Sequence, residues 1–466
     1  MRHDAHGYWI EEAGLEGTPS LPSLTEDTTA DVLIVGGGYT GLWSAWWVKQ
    51  AAPDARVVVL EADHSGFGPS GRNGGFVNSM SFSLPTLRRN FGDSDALRMV
   101  HAGDESVLAI GRWCEEQDVD AWFTHGGYLQ ASTAPPFDHA WDAVAEACVE
   151  LGEEGRIEVL DGAATRARCD SPLFRAGAFY PMGASVQPAR LAAGLRTRVL
   201  EAGVEIHEHT PVDSLADRDG EVLAGTPGGS VRAGAAILAA GGSLLRFRPL
   251  RRSLTLTSSH MVVTEPVPDV LEEIGWTGGE CITDGRAMVH YMRTTPDGRI
   301  AFGWGGGRIA CGARLGGRTE LDPGVVDRVA SDLRSFFPGL EGRRITHAWG
   351  GPIDVSPTHL PVVVPHRSER VYGVFGYTGN GVGPSLMMGQ ILASLALDRR
   401  DEHSQLPLVE PEPRRVPTGL ASWIGGNAIR AGLVAKEAAE EQGTVPGPLS
   451  RGLAAIPERI GFHIGR

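Results

Sequence analysis

Lysine is nearly missing from this 466-residue chain, occurring only at Lys49 and Lys436 among 42 Lys and Arg residues. A positive charge inside a binding site must therefore come from arginine or histidine. Clustered cations are missing too: the formal net charge is −15 and no Lys/Arg-rich run occurs, which sets aside nucleic acid as a partner. Cysteine is sparse. Cys114, Cys148, Cys169, Cys281 and Cys311 are odd in number, widely spaced, and form neither a CxxC nor a Cys/His metal pattern. They read as reduced thiols, and no metal site is expected. The opening MRHDAHGYWIEEAG has neither the basic head nor the apolar run of a secretory signal, so the expected location is the cytoplasm. Unbroken apolar runs of membrane-spanning length are absent as well. Val32 to Val48 and Val371 to Leu397 carry no charge, but glycines interrupt both. A membrane span needs roughly 20 apolar residues, and a strand, a glycine turn and a helix account for each stretch without one.

What is abundant is glycine, with 63 residues, in a chain that is 42% hydrophobic and 21% charged, near the averages for globular proteins. The length predicts two large domains and a tail. Asp31-Val-Leu-Ile-Val35 enters a glycine turn, Leu42 to Val48 has helical spacing, and Arg56-Val-Val-Val-Leu-Glu61 is a continuous apolar run suited to a strand buried on both faces. The βαβ unit is then complete. Asp93 to Glu153 turns amphipathic and helical, with one interruption at Ala121 to Gln130 that reads as a strand pair. A helix is expected over Pro188 to Ala202, with strands at Val204–His207, Glu221–Leu223 and before Gly242. Alternating segments at Ser258–Thr264, Ala287–Arg293 and Arg299–Gly303 predict an antiparallel sheet. Beyond Asp398 a Pro-rich linker, Pro407 to Pro417, leads to a helical tail with no readable role.

The strongest chemical signal is Gly36-x-Gly38-x-x-Gly41, set between the first strand and the first helix, with Glu61 closing the next strand 20 residues on. In such a dinucleotide site Gly36 permits the tight turn, Gly38 lets the backbone reach a pyrophosphate, and Gly41 allows close helix–strand packing. The helix N-terminus faces the anion and Glu61 takes the ribose hydroxyls. A second glycine-rich loop, Gly66-Phe-Gly-Pro-Ser-Gly-Arg-Asn-Gly-Gly-Phe76, follows at once and suits a longer ligand.

With that loop the sequence resembles the D-amino-acid-oxidase-like family of FAD-dependent amine oxidoreductases, which includes glycine, sarcosine and γ-glutamylputrescine oxidases. The Ser-Gly-Arg-Asn-Gly-Gly form is most similar to the γ-glutamylputrescine oxidase branch. The resemblance runs through residues 31 to 397 and includes Gln187-Pro188, Thr210-Pro-Val212, Ala239-Ala-Gly-Gly242, Trp349-Gly-Gly-Pro352 and Gly376-Tyr-Thr-Gly-Asn-Gly-Val-Gly383.

It implies an α/β protein: a Rossmann-type, glutathione-reductase-like FAD-binding domain (31–90, 176–250 and 341–398) interleaved with an α+β substrate domain built on an antiparallel sheet (91–175 and 251–340). An N-terminal arm (1–30) and a linker with a helical tail (399–466) complete it. The implied FAD contacts in the first turn are Gly36, Gly38, Tyr39, Thr40 and Gly41, followed by Glu61 and Ala62. The second loop contributes Ser70, Gly71, Arg72, Asn73, Gly74 and Gly75. Val212, Ala240, Gly241 and Gly351 come next, and Gly379, Asn380, Gly381 and Val382 place amides and a helix N-terminus at the pyrimidine edge of the flavin.

No cysteine lies between Met1 and Trp113, which favours non-covalent FAD, with His64 the one residue able to overturn that. The lysine that sarcosine-oxidase-like members place over the flavin has no counterpart, so O2 or another acceptor takes the electrons. Arg72 and His359 are the cations expected near the ring. Thr358 and His359 replace the Asp-Gly that many relatives show before Leu-Pro. Tyr291 and Arg293 share one strand face and are candidates for substrate contact, Arg293 as a carboxylate binder. Lone histidines such as His260 and His290 carry no signal.

The expected reaction is oxidation of the C–N bond of a small amine or amino acid to an imine. Two other readings stay open: a flavin-dependent hydroxylase, against which the lack of a second G-x-G-x-x-G argues, and a flavin-holding subunit of a larger complex. A homo-oligomer is also left open.

Overall fold

The computed structural model describes all residues except 4–5, 219, 248–249, 313–314, 367–368, 410–413 and 460–466, and the side chains of residues 2, 3 and 218. Two large sheets organise the chain. In the first, strand Thr28–Val35 lies between Val57–Leu60 and Gly229–Leu238, parallel to both, in the registers Val32↔Val57 and Val35↔Leu238. Glu205–His207 extends the parallel set at one edge and Val371–Phe375 at the other. The strand Gly229–Leu238 shows why the sequence folds this way. Its first part pairs antiparallel with Glu221–Thr226 and alternates buried with exposed residues, while Ala235–Leu238, covered on both faces, is buried throughout. Helices Tyr39–Ala51 and Val382–Ala396 pack together on one face.

The second sheet runs, in spatial order, Arg2–His3, Ile345–Val355, Thr255–Thr264, Ile300–Trp304, His290–Thr294, Cys281–Asp284, Tyr128–Ser132, Ala176–Tyr180 and Glu158–Leu160. Most pairings are antiparallel, as expected. Two are not: Cys281–Asp284 runs parallel to Tyr128–Ser132, and Arg2–His3 parallel to the strand Ile345–Val355. Helix Pro323–Phe336 covers the outer face, burying Val326, Val329 and Phe336 against Phe302 and Met292.

Two local expectations change. Ala121 to Gln130 is no strand pair; it leads into the single strand Tyr128–Ser132, whose partners come from Ala176–Tyr180 and Cys281–Asp284. A short apolar segment reveals its strand type but not the remote chain that will pair with it. The long helix Asp93–Glu116 packs on the Rossmann side: the Trp113 ring meets Trp43 at 5.0 Å and Trp46 at 5.8 Å, edge to face. No helix among the described residues is long and apolar enough to cross a membrane.

Candidate active site

Strand Thr28–Val35 ends in a turn that only glycine fits. Gly36 sits at φ +111°, and a Cβ there would come 2.5 Å from the Ala239 carbonyl oxygen. A Cβ on Gly41 would collide with the Gly36 carbonyl, so the helix Tyr39–Ala51 can rise directly over the strand only with glycine at 41. Gly38 differs. Its missing side chain leaves open space limited only by the Ser70 Oγ at 2.9 Å, and both Gly36 and Gly38 line a large cavity. That space, next to a helix N-terminus with no acidic residue in its first turn, suits a pyrophosphate. Glu61 closes the adjoining strand, its Oε2 accepting from the Gly37 amide at 2.7 Å and its Oε1 from the Asp63 amide at 2.9 Å. Burial raises its carboxyl pKa while those amides lower it. Ala62, Thr210 and Val212 continue the wall beyond it.

The second glycine loop folds as a single turn, Pro69–Arg72, lying against the first. Ser70 Oγ accepts from the Tyr39 amide at 2.9 Å and joins the two loops. Asn73 holds the turn closed, accepting from Gly75 N at 2.7 Å and donating to Ser70 O at 2.8 Å. From the N-terminal helix Gly7–Glu12, Trp9 Nε1 donates to Asn73 O at 2.9 Å, and Trp349 Nε1 donates to Arg72 O at 2.8 Å. The loop is thus clamped from behind by two buried indoles. Tyr39, Thr40, Ser70, Arg72, Asn73 and Gly74 line the cavity. Gly71 and Gly75 do not: a Cβ on the first would press on Gly66 and Ile10, one on the second on Val186. They shape the loop, as Gly41 shapes the first turn.

The same cavity, of about 1620 Å³, continues past Ala240 and Gly241 to Gly351 and to the loop Gly379, Asn380, Gly381 and Val382. There the helix Val382–Ala396 begins, with no acidic group in its first turn. Tyr377, bonded through its hydroxyl to Thr40 Oγ1 at 2.6 Å, ties this loop to the first helix. Glycine-walled space running from the Gly36–Gly41 turn to a second helix N-terminus fits an extended dinucleotide such as FAD.

Opposite, the antiparallel sheet presents Ser259, Met261, Tyr291 and Trp349. Tyr291 and Ser259 share a hydrogen bond of 2.7 Å between hydroxyls, and burial pushes the Tyr291 pKa up, keeping it neutral. Arg293 is not brought into this space. It is 2% exposed, donates to the carbonyls of Val186 and Gly75, and lies 5.4 Å from the Trp9 ring centroid. The shared strand face holds, but at position 293 that face meets the back of the flavin loop. Arg72 and His359 do line the cavity; burial lowers the Arg72 pKa, and His359 adopts φ +58°. His64 turns away, stacked on Phe67 at 4.0 Å and 3.8 Å from Glu208. Neither lysine is present: Lys49 Nζ donates to Ala55 O at 3.0 Å and Lys436 pairs with Glu440 at 2.6 Å.

Sequence reasoning missed Asp354. Its Oδ2 accepts from the Gly376 amide at 2.6 Å, it lines the cavity, and burial pushes its carboxyl up to about 6. A single Asp near the end of a strand gives no advance signal; only the packing of Gly376 and Tyr377 around it does.

Comparison with known proteins agrees with this geometry. Over 436 residues the chain is 27% identical to a probable oxidoreductase OrdL of Rhizobium meliloti, covering 92% of this chain and 95% of the relative. It is 28% identical to the gamma-glutamylputrescine oxidoreductase of Escherichia coli, over 83% and 88% of the two chains. The glycine oxidase structure from Geobacillus kaustophilus superposes with a TM-score of 0.66 at 20% identity, covering 80% of this chain and 96% of that one, and so shares the fold. The family model described as DAO, FAD dependent oxidoreductase, matches residues 31–395, and with the glycine-walled part of the cavity built by those same residues the chain belongs to that family of FAD-dependent oxidoreductases.

Proposed function

We propose that this protein oxidises the carbon–nitrogen bond of a small amine or amino acid, with FAD held non-covalently. The observation that carries the reading is the single cavity in which the glycine-built cradle faces Tyr291, Ser259 and Trp349 across one space. When bound, FAD supplies the redox chemistry by accepting a hydride from the carbon next to nitrogen. The chain's own residues position and desolvate. Neutral Tyr291, its hydroxyl held by Ser259, offers a fixed hydrogen-bonding group to the substrate. Met261 and Trp349 provide apolar surface that lowers an amine's pKa and favours the unprotonated form needed for hydride departure. The helix N-terminus at Val382 favours negative charge on the reduced cofactor.

Non-covalent binding is supported by His64, which faces Phe67 and Glu208, and by the lack of cysteine in both cradle loops. Cys311, which also lines the cavity, is exposed and belongs to neither loop. Water converts the imine product to an aldehyde or keto acid with release of ammonia or an amine, and bound FAD would be reoxidised by O2 or another acceptor, in a cytoplasmic setting. The test is anaerobic titration of the purified yellow protein with a panel of amines and amino acids. Bleaching of the oxidised-flavin absorbance by members of the panel is expected, and acid precipitation should leave all FAD in the supernatant. No bleaching by any amine overturns the reaction; flavin in the pellet overturns non-covalent binding.

A further inference from the structure

The family model stops at residue 395, yet the cavity does not. Beyond it, helix Leu420–Glu441 crosses the substrate side of the cavity and lines it with Trp423, Ile429 and Leu433. The crossing is anchored along its length. Val416 N, just ahead of the helix, donates to Arg252 O at 2.5 Å. Trp423 Nε1 donates to Ile309 O at 3.1 Å, and Arg430 Nε to the carbonyls of Gly306 at 2.8 Å and Gly307 at 2.5 Å. At the far end buried Glu437 accepts from the amides of Ala287 at 2.7 Å and Met288 at 3.3 Å, and Arg286 pairs with Glu441. The contacts of buried Glu437 and Arg286 in particular fix the helix in one register, because leaving a buried polar partner unpaired is costly.

We propose that this C-terminal helix is the specificity wall of the active site and that the subsite behind it takes a hydrocarbon substituent of the amine substrate; the proposal rests on the amine-oxidation reading. Its polar groups are already committed. Arg430 is spent on two backbone carbonyls, Glu437 on two amides, and Arg286 on Asp284 at 3.1 Å and on Glu441. Of the other charged lining groups among the described residues, Glu61 belongs to the cofactor cradle, Arg72, Asp354 and Glu320 belong to the Trp349–Asp354 side, and Arg246 and Arg251 are exposed. Between the committed groups the wall is apolar: Met288 and Ile309 face Trp423, Ile429 and Leu433. Among the described residues between Met288, Ile309 and this helix face, a second charge on the substrate meets no free partner, whereas each buried methylene strengthens binding about fourfold.

The test separates binding from turnover. Amines with a fully substituted carbon next to nitrogen, from 2-methylpropan-2-amine to 2-methylhexan-2-amine, carry no hydrogen there and cannot be oxidised. Their dissociation constants are read from the shift they cause in the flavin spectrum. Expected is a fall of about fourfold per methylene in the wild type, at least tenfold weaker binding of analogues ending in a carboxylate or ammonium, and a flattened series in Ile429→Ala and in Trp423→Ala at unchanged FAD content. A flat wild-type series, tighter binding of the charged analogues, or unaltered slopes in both variants overturns the wall. Oxidisable primary amines of the same lengths keep the two proposals apart. If neither these nor any member of the amine and amino-acid panel bleaches the flavin while the slopes hold, the amine-oxidation reading fails and the subsite stands; if they bleach it without a slope, the subsite fails.

Discussion

On its cofactor side the cavity is walled by backbone: Gly36, Gly38, Gly74, Gly241, Gly351 and Gly379 all border it. On its substrate side it is walled by side chains, Met261, Met288, Tyr291, Ile429 and Leu433 among them, brought from strands and a helix far apart in sequence. A backbone-lined surface is specified by where side chains are missing, which tolerates little change. A side-chain-lined surface can be altered one residue at a time without disturbing the sheet behind it, and this is where relatives with a common cofactor have room to differ in substrate.

The sharpest way to break that comparison is a pair of valine substitutions three residues apart. Gly41→Val puts a branched side chain into the Gly36 carbonyl and should destabilise the protein by about 3 kcal/mol or more, read as a fall in melting temperature or loss of soluble protein. Gly38→Val points into open cavity and should leave a folded apoprotein with less than about a tenth of the wild-type flavin. A Gly38→Val variant that stays yellow shows that the pyrophosphate lies elsewhere.

A smaller effect is expected from Arg293→Met, which strips the carbonyls of Val186 and Gly75 of their buried donor. An unpaired buried polar group costs about 1–3 kcal/mol, so unfolding shifts while KM for the amine changes less than about twofold. A large rise in KM at unchanged stability would return Arg293 to the substrate site.

The smallest effect concerns Asp354. Its carboxyl, raised to about 6 by burial, is neutral in both folded and unfolded protein below about pH 4. Between about 4 and 6 the unfolded chain ionises first, so the contribution of Asp354 to apoprotein stability falls with rising pH and levels off above about 6. Allowing for its partial exposure, the fall is roughly 1–2 kcal/mol. Urea unfolding across this range should show the stability of the wild type falling by that amount relative to Asp354→Asn as pH rises from about 4 to about 6; parallel profiles remove the assignment.

The same contrast explains what could be read in the chain. The turn at Gly36–Gly41, Glu61 and the loop Ser70–Gly74 were legible because conformational demands on glycine are local, and the strands flanking them announce themselves as unbroken apolar runs. Arg293 was misjudged because a period of two assigns a face, not what that face meets at each end of the strand. The tail gave no signal for a related reason. Trp423, Ile429 and Leu433 look like the apolar face of any docked helix, and where it docks depends on Ala287 and Ile309, more than a hundred residues earlier.

The strand order of the Rossmann sheet also sets a schedule. Gly229–Leu238 sits between Thr28–Val35 and Val371–Phe375, so the sheet that holds the cofactor lacks its outer parallel strand until residue 375 has been made. At about 5–20 residues per second, the ribosome needs roughly 17–70 s to travel from residue 35 to residue 375. During the last part of that interval, after residue 238, the strand Gly229–Leu238 waits with its outer side unpaired, exposed to chaperones and to neighbouring nascent chains. Flavin loading therefore belongs to the last moments of synthesis or after it, and a shortage of FAD will be met by a nearly finished polypeptide, not by an early intermediate.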